Sequence, residues 1–177
     1  MTVRGTLALL LVATVLLVVM LADRAPIVPQ RPLPTPDTPP LLDAPITSVS
    51  RVEWQHDRDR LTLVRTPDGW HDAAGHPWPA DVVEVALDAL ASLHPHPVVT
   101  GEPIDFTEYG LAPATEQLRV VDGTGNELLA MDIGNRNPAW TGSYARRSGR
   151  PEVLLVGALL RWELDKLRSA RDAVVQP

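Results

Sequence analysis

The chain has 177 residues, a net charge of −6, no Cys and only eight aromatic side chains, five of them Trp. That length leaves room for one ordinary domain once a leading segment and a linker are set aside. Scattered basic residues on an acidic chain exclude the basic face that nucleic-acid binding needs. The lack of Cys excludes disulfides, thiolate catalysis, Cys-ligated zinc and a lipid-modified N-terminal Cys.

Residues 5–22 read GTLALLLVATVLLVVMLA, with no charge and only Thr6 and Thr14 as polar interruptions. As a helix this run covers about 27 Å, close to the hydrocarbon core of a bilayer. It is apolar all round, so it has no polar face to turn to water. The residues around Ala22 lack the small side chains at alternate positions that a signal cleavage site needs. Residues 1–25 therefore read as a short N-terminus and a retained transmembrane signal anchor, with the lipid bilayer as partner through residues 5–22. Arg4 favours a cytoplasmic N-terminus, and Arg24 and Arg31 blunt that bias. Size asymmetry decides, because a long following domain translocates largely regardless of charge. The expectation is a single-pass protein of the cytoplasmic (inner) membrane with an extracytoplasmic, periplasmic C-terminal domain.

Eight of the twenty residues 26–45 are Pro. Each Pro fixes φ and lacks a donor, so this linker reads as an extended, polyproline-like spacer. The motif Pro32-Leu33-Pro34-Thr35-Pro36 could also dock on an aromatic groove; a plain spacer is the simpler reading.

Residues 46–173 form the domain, followed by a tail at 174–177. Residues 49–72 alternate apolar and polar side chains and read as a strand meander, with turns at His56-Asp57-Arg58-Asp59 and Pro67-Asp68-Gly69. Residues 79–93 carry Val82, Val83, Ala86, Leu87, Leu90 and Leu93 at helical spacing behind Pro79. His94-Pro95-His96-Pro97 ends that helix, and Val98-Val99 begins an extended piece. Residues 105–111 read as one helical turn closed by a left-handed Gly110, with Phe106, Tyr109 and Leu111 as core plugs. Residues 116–121 and 127–133 form a hairpin across Asp122-Gly123-Thr124-Gly125-Asn126. Residues 140–146 and 153–156 form a second pair. A helix from 158 to about 172 closes the chain, with Leu159, Leu160, Trp162, Leu164 and Leu167 apolar and Glu163, Asp165, Lys166 and Arg168 wet. Runs of strands each followed by a helix predict an α+β fold with antiparallel sheet, behind the N-terminal transmembrane helix. The two halves could be a divergent repeat of one sheet-plus-helix unit.

Several constellations could carry chemistry. His71, His76, His94 and His96 are the candidate metal set, but no pair sits at i, i+4 on a helix and Pro residues separate them. Asp105 and Glu108 share a helical face, which capping of the short turn explains. Ser143 lacks a nucleophile-elbow frame. The five Trp residues read as core and hairpin packing. Arg146, Arg147 and Arg150 cluster at a hairpin and are the candidate partner-binding set. No catalytic residue, cofactor or metal site is assigned.

A further pattern runs over roughly residues 49–172: Gly69-Trp70, Pro79-Ala80-Asp81, Phe106-Thr107-Glu108-Tyr109-Gly110-Leu111 with Pro113, Ile133-Gly134, Ser143-Tyr144-Ala145-Arg146 and Val153-Leu154-Leu155-Val156. In these pieces the chain resembles the DUF4340 family of bacterial membrane-anchored proteins. The Tyr-Gly-Leu-x-Pro and Ile-Gly pieces are its most specific parts. It implies no enzymatic activity and a place beside ABC-type export systems of the gliding-motility-associated kind, with a permease or auxiliary subunit as partner. The chain has no phosphate loop, so ATP hydrolysis would belong to such a partner. The expected function is a non-enzymatic, membrane-anchored accessory or protein-interaction component of a bacterial envelope assembly. Two alternatives are an extracytoplasmic carbohydrate- or polymer-binding module using exposed Trp near Trp78 and Trp140, and a metal-dependent hydrolase built on the His set.

Overall fold

Antiparallel strands with one greasy side need a single covering layer, and two helices supply it. The computed structural model describes residues 38–99 and 105–175, with side chains through residues 98 and 171 of those stretches. Residues 5–22 and most of the Pro-rich stretch lie outside them, and the anchor reading with them. Among the described residues no helix is long and apolar enough to cross a membrane.

After a 3-10 turn at Ile46–Ser48 come β1 (Val49–His56), β2 (Asp59–Thr66), β3 (Gly69–Asp72) and the two-residue β4 (Pro77–Trp78). Helix α1 (Ala80–Ser92) leads to β5 (His96–Val99). Then come β6 (Glu116–Asp122), β7 (Glu127–Arg136), β8 (Gly142–Arg147), β9 (Val153–Gly157) and helix α2 (Ala158–Val175). All strands join one antiparallel sheet in the order β4-β3-β2-β1-β6-β7-β8-β9-β5. The order is nearly palindromic about the β1/β6 pair: each half is a four-stranded meander followed by a helix. Only β5 departs from the symmetry, adding to the outer edge of the second half.

Register puts most of the large apolar strand residues on one face. Trp54 pairs with Leu61 on one side and Leu118 on the other; Leu118 pairs with Met131, and Ile133 with Ala145. Against this face pack Val83, Ala86, Leu87 and Leu90 of α1 and Leu160, Leu164 and Leu167 of α2. The opposite face is solvated, as antiparallel sheets allow. It carries a polar lattice of Arg60 to Gln55 at 3.0 Å, Gln117 to Asp132 at 3.1 Å and Arg146 to Asp132 at 2.7 Å.

The expected meander, helices and hairpins are present, and α2 runs on to Val175. Four local expectations change. Glu163 is buried at 3 % exposure, whereas Leu159 and Trp162 stand in solvent. The inward stripe runs 160-163-164-167, and position 163 falls on it while 159 and 162 do not. Buried Glu163 is met by Lys166 at 3.1 Å. Of the three core plugs only Leu111 is fully buried. Phe106 lies under the Arg146 guanidinium at 4.4 Å, and Tyr109 meets the Tyr144 ring edge-on at 4.9 Å. The β8 strand begins at Gly142, so Trp140 lies in the preceding loop.

The fourth change concerns the linker, whose last residues belong to the domain. Leu41 and Leu42 are buried in the core, and their N–H groups donate to the Leu93 and Leu90 carbonyls. A helix ending without a Gly cap leaves its last carbonyls in need of donors, and this strap provides two of them. Arg147 Nη2 donates to the Pro40 carbonyl at 2.8 Å, and His94 Nδ1 lies 2.7 Å from the Thr38 carbonyl.

The two most specific sequence pieces meet in space. The 105–111 turn closes with Gly110 at φ +69°, and the Tyr109 carbonyl accepts the Asn135 N–H at 2.8 Å. A Cβ at Gly134 would land on that Tyr109 carbonyl. The β7/β8 register breaks at this point, between Ile133 and Arg136. Gly134→Ala is therefore expected to cost about 1–3 kcal/mol of unfolding free energy, by forcing backbone apart at a packed site. Urea denaturation measures it, and a neutral result would contradict the close approach.

The β6–β7 loop is organised by one carboxylate. Asp122 accepts from the Thr124 hydroxyl and N–H (both 2.8 Å) and from the Asn126 N–H (2.9 Å) and side-chain amide (3.0 Å). These bonds, the Thr124 hydroxyl first, lower its pKa from 3.8 to about 2. A depressed carboxylate pKa means stabilisation that is present above the unfolded value and lost as pH falls through the folded one. The Asp122 carboxyl should titrate near pH 2 by NMR, with loop amide protection lost over the same range. Asp122→Asn should remove that acid dependence.

Candidate functional site: a cleft between two exposed indoles

Three Trp residues, 54, 70 and 78, are buried; Trp140 is 71 % exposed and Trp162 is 58 % exposed. These two, from the β7–β8 loop and the first turns of α2, flank an open cleft of about 130 Å³. Arg136 and Asp165 also line it, with Ser143, Arg161, Gly142 and Ala158.

The loop that presents Trp140 is held by one side chain. Asn137 Oδ1 accepts the Thr141 N–H at 2.9 Å and the Gly142 N–H at 3.2 Å, and its amide donates to the Thr141 hydroxyl at 2.9 Å. Backbone bonds from Trp140 to Asn137 and from Asn137 to Gly142 close the turn, and the Ala158 N–H ties it to α2 through the Thr141 carbonyl. Within this frame Trp140 adopts φ +59°. A bulky side chain there costs about 1–2 kcal/mol, and such strain concentrates at functional sites. The Arg136 guanidinium lies 5.2 Å from the Trp140 ring, and Lys166 Nζ lies 3.5 Å from the Trp162 ring. Each indole is thus steadied by a cation while much of its surface remains open.

Beneath the cleft runs a buried polar chain. Arg161 Nε donates to the Ser143 hydroxyl at 3.2 Å, and its Nη2 lies 3.0 Å from Glu116 Oε2. Glu116, 2 % exposed, also accepts the Trp54 indole N–H at 2.8 Å, and His56 Nδ1 approaches its other oxygen at 3.8 Å. The pairing fixes the Arg161 guanidinium as the floor. Glu116 drew no notice in the sequence because it sits at the apolar phase of β6 and looks like a strand-end polar residue.

A larger groove, about 290 Å³, lies on the solvated sheet face among Glu53, Gln55, Arg60, Gln117, Arg119 and Asp132. Its side chains largely satisfy one another, and it lacks an exposed aromatic anchor. It is a weaker candidate on those grounds.

The predicted site residues fall elsewhere. Arg146 and Arg147 are consecutive on β8 and point to opposite faces; Arg146 holds Asp132, Arg147 holds the strap, and Arg150 is exposed in the following loop. Among the described residues no three metal-ligating side chains converge, so His71, His76 and His94 do not meet. His76 pairs with Asp72 at 3.0 Å, His71 faces Thr66 and Gly69, and His94 faces the strap. Asp105 accepts the Thr107 N–H at 2.9 Å, and its hydrogen bonds to Thr107 lower its pKa. Trp78, named with Trp140 as a ligand-stacking candidate, is buried; Trp162 takes that place.

The domain is a two-layer α+β structure, one antiparallel sheet under two helices, with an open cleft lined by two exposed indoles. Residues 70–172 match the family described as Domain of unknown function (DUF4340), and the chain belongs to that family. The match opens at Trp70, so β1 and β2 precede it. No curated protein and no solved structure matches the chain.

If Trp140 serves the cleft rather than the fold, Trp140→Gly should leave stability unchanged or raise it by up to about 1 kcal/mol, through relief of the left-handed φ. Loss of a buried Trp would instead cost about 3–5 kcal/mol. Urea unfolding of the two proteins separates these outcomes.

Proposed function

We propose that this protein is a non-catalytic docking domain, tethered to the cytoplasmic membrane by residues 5–22, that holds a component of an envelope assembly in the Trp140–Trp162 cleft. The carrying observation is the pair of exposed indoles on a hydrogen-bonded frame. Trp and Arg dominate binding hot spots because they bury large area with little loss of freedom, and Trp140, Trp162 and Arg136 supply both types here. The proposed side for the domain is extracytoplasmic, on the charge and size argument. Its resemblance-based place beside an ABC-type transport system is part of the same proposal, with catalysis and ATP hydrolysis left to partners. Arg150, exposed near the β8–β9 connection, is a secondary contact proposed for an acidic group.

A saccharide-binding role is the second reading, and the exposure of Trp140 favours it. Metal-dependent hydrolysis loses its basis where the His set does not converge.

The test is capture from gently solubilised native membranes with the full chain and with its Trp140→Ala/Trp162→Ala form. The parent chain should retain envelope components that the double variant loses, with thermal unfolding unchanged because both side chains are exposed. Identical recovery by the two would remove the cleft from the function.

A further inference from the structure

We infer that the cleft holds a neutral sugar ring, one unit of a glycan. This rests on the reading above that the cleft is the docking site, and it names the chemistry of what docks there.

The charge inventory decides the class. Arg161 is neutralised by Glu116 at 3.0 Å and Lys166 by Glu163 at 3.1 Å. That leaves one cation, Arg136, and one carboxylate, Asp165, on the cleft wall with no ion-pair partner among the described residues. An acidic ligand would meet Asp165, and a basic one would meet Arg136. An apolar side chain from a partner protein would strip water from both and return no hydrogen bond. Neutral hydroxyl groups suit both, since each can donate to a carboxylate and accept from a guanidinium. The partly exposed Arg161 guanidinium adds a donor at the floor.

The walls fit the rest of such a ring. A pyranose presents faces of C–H bonds, weakly positive, which pack against the negative face of an indole. The two indoles that line the cleft offer that surface without the conformational freedom of aliphatic chains. The cleft is open to solvent, so a polymer can extend outward from a seated ring. Its volume, about 130 Å³, suits one ring rather than an extended peptide with its side chains.

The experiment uses the full chain in a detergent without a sugar headgroup. Maltohexaose, cellohexaose and chitotetraose are titrated, with indole fluorescence and saturation-transfer NMR as readouts. At least one should bind saturably. Trp140→Ala and Trp162→Ala should each weaken it about fivefold or more, the range of one aromatic contact, and Asp165→Asn should weaken it less. No saturable binding of any of the three up to about 10 mM, the weak end of specific recognition, would overturn the inference. So would binding that survives in the double Trp variant, or a partner peptide cross-linking into the cleft in place of glycan. If the sugars fail while membrane capture still depends on the two Trp residues, the sugar inference falls and the docking function stands. If both fail, the cleft has no binding role.

Discussion

A backbone-on-backbone contact at Gly134 organises the second half of the domain. The turn that ends at Gly110 leans on β7 so closely that the Tyr109 carbonyl occupies the space of a Gly134 side chain. Because β7 cannot keep its register there, two residues bulge before Arg136. The chain then enters the Asn137 loop aimed at the start of α2. Trp140, Arg136 and the cleft they help form stand on that deflection.

A second constraint lies under the helices. A single apolar face shared by strands of both halves must be covered by two helices, and the interior between sheet and helices includes two acidic side chains. Glu116 and Glu163 sit at apolar phases of β6 and α2 and are buried with them. Each is tolerated because a cation meets it: Arg161 for Glu116, Lys166 for Glu163. Buried pairs of this kind add little net stability, but removing one partner strands the other charge. Both cations also serve the cleft, Arg161 as its floor and Lys166 as a support for Trp162. The polar interior and the cleft thereby share their cations.

The strap at residues 38–42 belongs to the domain. A proline-rich spacer ordinarily leaves the domain behind it free to reorient. Here its last residues are sewn to the C-terminal end of α1 and to Arg147 of β8. The point at which the linker meets the domain is therefore fixed by core burial of Leu41 and Leu42.

Local structure was legible in the chain because its signals are local. Period-two alternation marked β1, β2 and the hairpins, Pro79 and the 83-86-87-90 spacing marked α1, and Gly69, Gly110 and the 122–126 loop marked turns. The family too was readable from short strings, since Tyr109-Gly110-Leu111 and Ile133-Gly134 carry a steric requirement that few residues meet. Tertiary structure alone decided the rest. Strand order depends on which apolar edges meet, and alternation does not encode that. The fate of residues 162 and 163 depended on the rotation of α2 about its axis, and a one-residue phase error moved a Trp outward and a Glu inward. The cleft draws Arg136, Trp140, Ser143 and Trp162 from a strand end, a loop, a neighbouring strand and a helix. Each has its own local reason to be where it is, and only packing makes them neighbours.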